Sequence, residues 1–222
     1  MTKHSSYLKA AQKLGNKLVV KFSMGAAVLI AIACIAPQPP AFASLFDSPV
    51  DRLPSVQRDS LRNGRTVVTG SQGEYVARVL INASPESVWQ VLTDYNNLDK
   101  FIPNMSSSRV LEDYGSSKVI EQVDSRQVFL VPIISRTKLA IQETDRERID
   151  FRLIDGDLSQ MEGNWTIEPV SSVPGRPPNQ ILITYTVNAQ PNDSTPTDAF
   201  YQIFKEALDD TMQAIKREVG NR

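Results

Sequence analysis

Histidine and cysteine are nearly absent from this chain of 222 residues: each occurs once, as His4 and Cys34. From Ser44 onward there is neither. That portion therefore excludes cysteine nucleophiles, disulfides, histidine-assisted serine hydrolysis and zinc sites built from Cys and His. Its chemistry is left to Asp/Glu, Lys, Arg, Tyr and Ser/Thr. Acid is also absent from the beginning of the chain, since no Asp or Glu precedes Asp47.

What stands in that acid-free stretch is ordered. Lys3, Lys9, Lys13, Lys17 and Lys21 precede the apolar run 22–36, which is followed by Pro37, Pro39, Pro40 and Ala41-Phe42-Ala43. A basic segment, an apolar core and a small-x-small site make the pattern of an export signal, and the core is shorter than the roughly 20 residues a membrane-spanning helix needs. Residues 1–43 are expected to be a secretory signal cleaved between Ala43 and Ser44. The destination is the periplasm, or the thylakoid lumen in a photosynthetic host. Two alternatives stay open: an uncleaved membrane anchor, and lipid attachment at Cys34 behind Ala31-Ile32-Ala33, where the usual leucine is missing.

Residues 1–43 hold five lysines and no acid, so of the 24 basic and 25 acidic residues the remainder carries a net charge of −6. No basic cluster follows Ser44, and a nucleic-acid partner is not expected. No pattern for a metal or cofactor is present either, and none is expected.

Residues 44–63 are polar, contain Pro49 and Pro54, and lack clear periodicity; they are expected to be a flexible linker before a domain at 64–222. Two strands are expected at 65–69 and 75–81 around Gly70-Ser71-Gln72-Gly73. Ser84 then offers an N-cap, with Pro85 at the first helical position and Glu86 near the positive end of the dipole. Val88, Leu92 and Tyr95 recur at helical spacing, widened by Trp89 and Val91, continued by Leu98 and Phe101 and stopped by Pro103. Strand-like runs follow at 108–112, 118–126, 133–143, 149–154, 163–169 and 180–189. They lack intervening helices and are expected to form an antiparallel meander. Thr195, as cap, and Pro196 open a final helix that Gly220 stops. Phe200, Ile203, Phe204, Ala207, Leu208, Thr211 and Ile215 form one face of this helix, expected to lie in the concavity of the sheet.

This order and its motifs resemble the START-like (SRPBCC, Bet v 1-like) superfamily. Ala-Ser-Pro-Glu-Ser-Val-Trp-Gln-Val-Leu-Thr-Asp-Tyr at 83–95, leading to Phe101-Ile102-Pro103, is similar to the opening of its polyketide cyclase/dehydrase and Coq10-type branch. Gly163-Asn164-Trp165 and Thr184-Tyr185 resemble later strands of the same branch. The resemblance implies an α+β helix-grip fold: a curved antiparallel sheet wrapped around a long C-terminal helix, with short helices after the first domain strands. It also implies a tunnel or cavity for an apolar molecule between sheet and helix. Function varies widely on this fold, and the superfamily shares no catalytic residue set.

The residues themselves nominate the site. Alternation places Leu139 with Ile141, Phe151 with Leu153, Trp165 with Ile167, and Ile183 with Tyr185 and Val187. Candidate wall or mouth residues are Trp89, Phe101, Phe151, Trp165, Tyr185, Phe204 and Leu208. Glu121, between Val119 and Val123, is the sharpest polar candidate if that side faces inward, with Arg126 or Arg136 as partner; the opposite register, with Ile120 inward, is equally compatible with the sequence. Three functions stay open: a non-enzymatic carrier of a lipid, quinone or other isoprenoid; a cyclase/dehydrase-like enzyme using Glu121 or Tyr185; and an assembly factor with a filled interior. The expected partners are a hydrophobic small molecule and, transiently, a membrane. N-terminal sequencing of the chain recovered from an exporting host is expected to begin at Ser44; a start at Met1 in the mature protein would refute cleavage.

Overall fold

An antiparallel sheet of eight strands organises the described residues, which in this computed structural model are 48–128, 131–173 and 175–222, with side chains described for all of them except 127, 128 and 131–133. The expected signal, its cleavage site at Ala43 and Ser44, and Cys34 lie outside the described residues. In chain order the elements are α1 (Ser55–Arg62), β1 (Val67–Ser71), β2 (Glu74–Ile81), α2 (Pro85–Leu92), a 3-10 turn (Leu98–Lys100), β3 (Met105–Asp113), β4 (Ser117–Val128), β5 (Val131–Thr144), β6 (Arg148–Gly156), β7 (Leu158–Val170), β8 (Gln180–Pro191) and α3 (Thr197–Asn221). The spatial order is β1-β2-β8-β7-β6-β5-β4-β3. Strands β3 to β8 thus form the expected meander, and β8 returns to pair with β2. This is the curved antiparallel sheet with a long C-terminal helix that defines the helix-grip fold.

Helix α2 begins as its sequence dictates. Ser84 Oγ accepts a hydrogen bond from the Ser87 amide at 3.1 Å, and Pro85 occupies the first turn. The helix ends at Leu92, short of the continuous stripe expected up to Pro103. Thr93 closes it, its hydroxyl donating to the Trp89 carbonyl at 2.8 Å, and the Asn side chains beyond bond elsewhere: Asn97 donates to Asp94 Oδ1 at 2.6 Å, and Asn96 Oδ1 accepts from the Val110 amide of β3 at 2.8 Å. At the other end of the chain, the Thr195 hydroxyl bonds to Asn192 Oδ1 at 2.8 Å, and α3 starts at Thr197 with no side-chain cap. Gly220 lies within the last turn of α3 and does not end it.

Along the inner face of the sheet, Tyr75, Ala77, Val79, Ile81, Ile120, Leu139, Ile141, Ile149, Phe151, Ile167, Ile183, Tyr185 and Val187 form a continuous core with α2 and α3. The second half of α3 supplies Leu208, Met212, Ile215 and Val219 to it, packing against β1, β2 and α2. An ion pair between Arg222 and Asp94 at 2.7 Å ties the end of α3 to the end of α2.

The expected linker is instead folded from residue 48 onward. Helix α1 lies on the outer face, where Val50 and Leu61 join Leu80, Leu182 and Val170 in a second, smaller core. The signal for this cover lies in the strands. Val79-Leu80-Ile81 and Ile181-Leu182-Ile183 are unbroken apolar runs, the mark of a strand end buried on both faces. Lys216 of α3 donates to the Gly64 carbonyl at 2.5 Å and fixes the turn after α1. Leu61→Ala is expected to destabilise the domain by about 2–4 kcal/mol, as for other fully buried leucines; a loss under about 0.5 kcal/mol in urea melts would restore the reading of 44–63 as a linker.

Candidate functional site

The register of β4 and β5 decides which polar groups face the interior. Ile120 pairs with Leu139 and both are buried, so Lys118, Ile120, Gln122 and Asp124 point inward while Val119, Glu121 and Val123 point outward. Glu121 is therefore no part of an interior site. On the outer face it accepts two hydrogen bonds from Arg109, at 3.0 and 2.5 Å, and one from Arg136 at 3.4 Å. The hydrogen bond from Arg109 holds its carboxyl below the usual range, with Arg136 adding to the effect. Arg136 itself bridges to Asp155 at 3.1 Å. The sequence pattern at 119–123 missed this because Ile120 and Val119 are equally apolar.

The remaining expected residues do converge on the inner face. Trp165 and Tyr185, paired across β7 and β8, stack with ring centroids 3.9 Å apart and planes 2° from parallel. Phe151 meets the Tyr185 ring at 5.5 Å. Gly163 makes room for it: a Cβ there would lie 2.8 Å from the Phe151 ring and 2.0 Å from the Thr186 carbonyl oxygen. From α3, Phe204 contacts Tyr75 at 6.0 Å and Phe200 at 5.4 Å, and Leu208 is buried one turn further on. Trp89 and Phe101 are half-buried against the same core, beside α2 and the 3-10 turn.

Cover over this face is uneven. Leu208, Met212, Ala214, Ile215 and Val219 in the second half of α3 are buried, whereas Phe200, Ile203, Phe204 and Ala207 in its first half are only half-buried. Leu153, Met161 and Trp165 on the sheet are likewise half-buried. The inner face is sealed from solvent beneath the second half of α3 and incompletely covered beneath the first.

Two ends of the inner face differ in polarity. Near α2, Tyr95 is buried and donates to Glu143 at 2.9 Å, with Lys118 3.9 Å from the same carboxylate. Burial and the Glu143 charge push the Tyr95 hydroxyl pKa up, which keeps it neutral. At the opposite end stands Asp124, a residue the sequence reading did not single out. Desolvation pushes its carboxyl up to about 6, opposed only by the charge of Arg126. The Tyr185 hydroxyl is raised by burial first and then by the charge of Asp124.

The outer face holds a separate open trough of about 1020 Å³, lined by outward side chains including Arg148, Asp150, Arg152, Glu162, Asn164 and Asn188. Its charged lining does not suit an apolar molecule.

Against this geometry, a family described as polyketide cyclase / dehydrase and lipid transport matches residues 81–216, more than half of the chain. The chain belongs to that family. The family match begins at the last residue of β2 and ends within α3, and so takes in α2, the meander and the aromatic inner face. A curated relative, the ribosome association toxin RatA of Escherichia coli, is 24% identical over 135 residues, covering 61% of this chain and 79% of that protein. Among solved structures, a START superfamily protein from Mycobacterium smegmatis superposes with a TM-score of 0.53 at 16% identity, covering 71% of this chain and 99% of that one. A STAR-related lipid transfer protein from Xanthomonas axonopodis gives 0.54 at 18% identity, covering 70% and 92%. These likenesses establish the START-like fold. The Coq10-type branch rests only on the sequence resemblance of residues 83–103, 163–165 and 184–185.

The raised pKa of Asp124 has a definite sign. The folded protein binds its proton more readily than the unfolded chain, so the ionisation penalty is absent below about pH 4, grows as pH rises towards about 6 and is fully present above it. Asp124→Asn is expected to match the parent at pH 4 and to exceed it by about 3 kcal/mol at pH 7.5 in denaturant melts. Equal stability at both pH values would show that Asp124 is fully solvated.

Proposed function

We propose that this protein is an exported, non-enzymatic binding or carrier protein for a hydrophobic small molecule of the lipid, quinone or isoprenoid class. The ligand is held between the first half of α3 and the inner face of the sheet. The observation that carries this reading is the incomplete cover there: Leu153, Met161, Trp165, Phe200 and Phe204 converge on one face and remain half-buried. A ligand burying roughly 300 Å² of apolar surface against them gains on the order of 7 kcal/mol before the cost of immobilisation. Membership of a family whose description includes lipid transport supports the same reading.

Export is supported by the order of residues 1–43. A carrier with its apolar face turned inward suits an aqueous compartment beside a membrane, and contact with that membrane is part of the proposal. The enzymatic alternative loses one of its two nominated groups, because Glu121 lies on the outer face in a cluster with Arg109 and Arg136. Among the described residues no hydrogen bond joins Tyr185 to an acid or base, which favours binding over proton transfer.

Native mass spectrometry of protein purified from its own host, followed by organic extraction, is expected to show one apolar molecule per chain. Phe204→Asp places a charge on that half-buried face and is expected to lower its occupancy at least tenfold with an unchanged circular dichroism spectrum. A parent protein that arrives empty and also rejects a panel of apolar probes would overturn the reading.

A further inference from the structure

Besides the Tyr95–Glu143–Lys118 group near α2, one other corner of the largely aliphatic and aromatic inner face is polar. On β4, Gln122 and Asp124 follow Ile120 inward. In the ladder Gln122 lies between Ser108 of β3 and Thr137 of β5, and Asp124 lies between Met105 and Ser135. Five polar side chains therefore adjoin one another on a surface whose other described positions are mostly core.

Several of these groups lack what buried polar groups normally have. Ser108 is 6% exposed, and its Oγ is sealed from solvent with no hydrogen-bond partner among the described residues. Asp124 receives no hydrogen bond from the described residues; Arg126 acts on it only as a nearby charge. The Tyr185 hydroxyl feels the Asp124 charge across the interior and makes no hydrogen bond among the described residues either. Other inward or sheltered acids are satisfied, Glu143 by Tyr95 and Glu121 by two arginines. An unpaired hydrogen-bonding group in a sheltered site costs free energy until something pairs with it.

We propose that the polar corner formed by Asp124, Ser108 and Gln122, with Tyr185 facing it across the interior, receives the hydroxyl end of an otherwise apolar ligand, with the Asp124 carboxylate as hydrogen-bond acceptor. This rests on the reading that the interior binds an apolar molecule, and names the polar end of that molecule. The body of the ligand then lies along the Trp165–Tyr185 stack and Phe204. The charge of Arg126 beside Asp124 leaves the corner close to neutral overall, which favours a neutral donor over an ammonium group. Specificity follows from the acceptor: a site built to take a donated hydrogen bond discriminates against an analogue that cannot donate.

The test uses a matched pair, 1-dodecanol and dodecyl methyl ether, titrated into the full-length protein at pH 7.5 with tryptophan fluorescence as readout. The alcohol is expected to bind about 10-fold more tightly than the ether, in line with a hydrogen bond to an ionised acceptor. In Asp124→Leu the ratio of the two affinities is expected to fall to near one, and in Tyr185→Phe to fall partway. A ratio of one in the parent protein, with both probes bound, overturns the hydroxyl site while leaving the apolar binding function standing. A parent ratio that persists unchanged in Asp124→Leu removes Asp124 from it. Failure of the parent to bind either probe overturns both readings together.

Discussion

Burial of the second half of α3 is the constraint on which the rest of the structure depends. Leu208, Met212, Ile215 and Val219 must leave water, and the apolar surface that receives them is the inner face of β1 and β2 with the adjoining side of α2. Fixing that half of the helix sets where its first half must run. Phe200 and Phe204 are thereby carried past Tyr75 at the start of β2 without the same closeness of packing. The partly covered region is a geometric consequence of anchoring a straight helix of 25 residues at one end of a curved sheet.

The two faces of the sheet have been put to different uses. Inward positions are aliphatic and aromatic, apart from the Asp124 corner and the Tyr95–Glu143–Lys118 group near α2. Outward positions hold charge in pairs, Glu121 with Arg109 and Arg136, and Arg148 with Asp150 at 2.6 Å. Exposed pairs of this kind contribute little stability. At one end, however, the outward side of β2 and β8 is apolar as well, and α1 exists to cover it. The domain is thus a two-layer structure over most of its area and a three-layer one where Leu80 and Leu182 need burial.

Much of this could be read from the residues. Ser84-Pro85 announces α2, the meander follows from alternating runs separated by turns, and the aromatic set Phe151, Trp165, Tyr185 and Phe204 converges as alternation requires. Strand alternation in β6 to β8 was legible because large apolar residues occupy one parity and polar residues the other. In β4 the two parities are nearly matched: Val119 and Val123 on one, Ile120 on the other. There the hydrophobic pattern carries no preference, and Glu121 was as good an inward candidate as Asp124. Helix α1 escaped for a similar reason, since its burial rests on Leu61 and on Val50 before it, too few positions to produce a period.

What the sequence by itself determined is the element order from β1 onward, the family and the apolar character of the inner face, because these follow from local spacing and from short-range capping chemistry. Register and placement were decided only by the tertiary structure. Pairing of Ile120 with Leu139 turned Asp124 inward and Glu121 outward, and the anchoring of α3 decided which aromatic residues are sealed and which remain accessible. Both depend on contacts between segments far apart in the chain, where a shift of one residue reverses every side chain and costs nothing that a local pattern records.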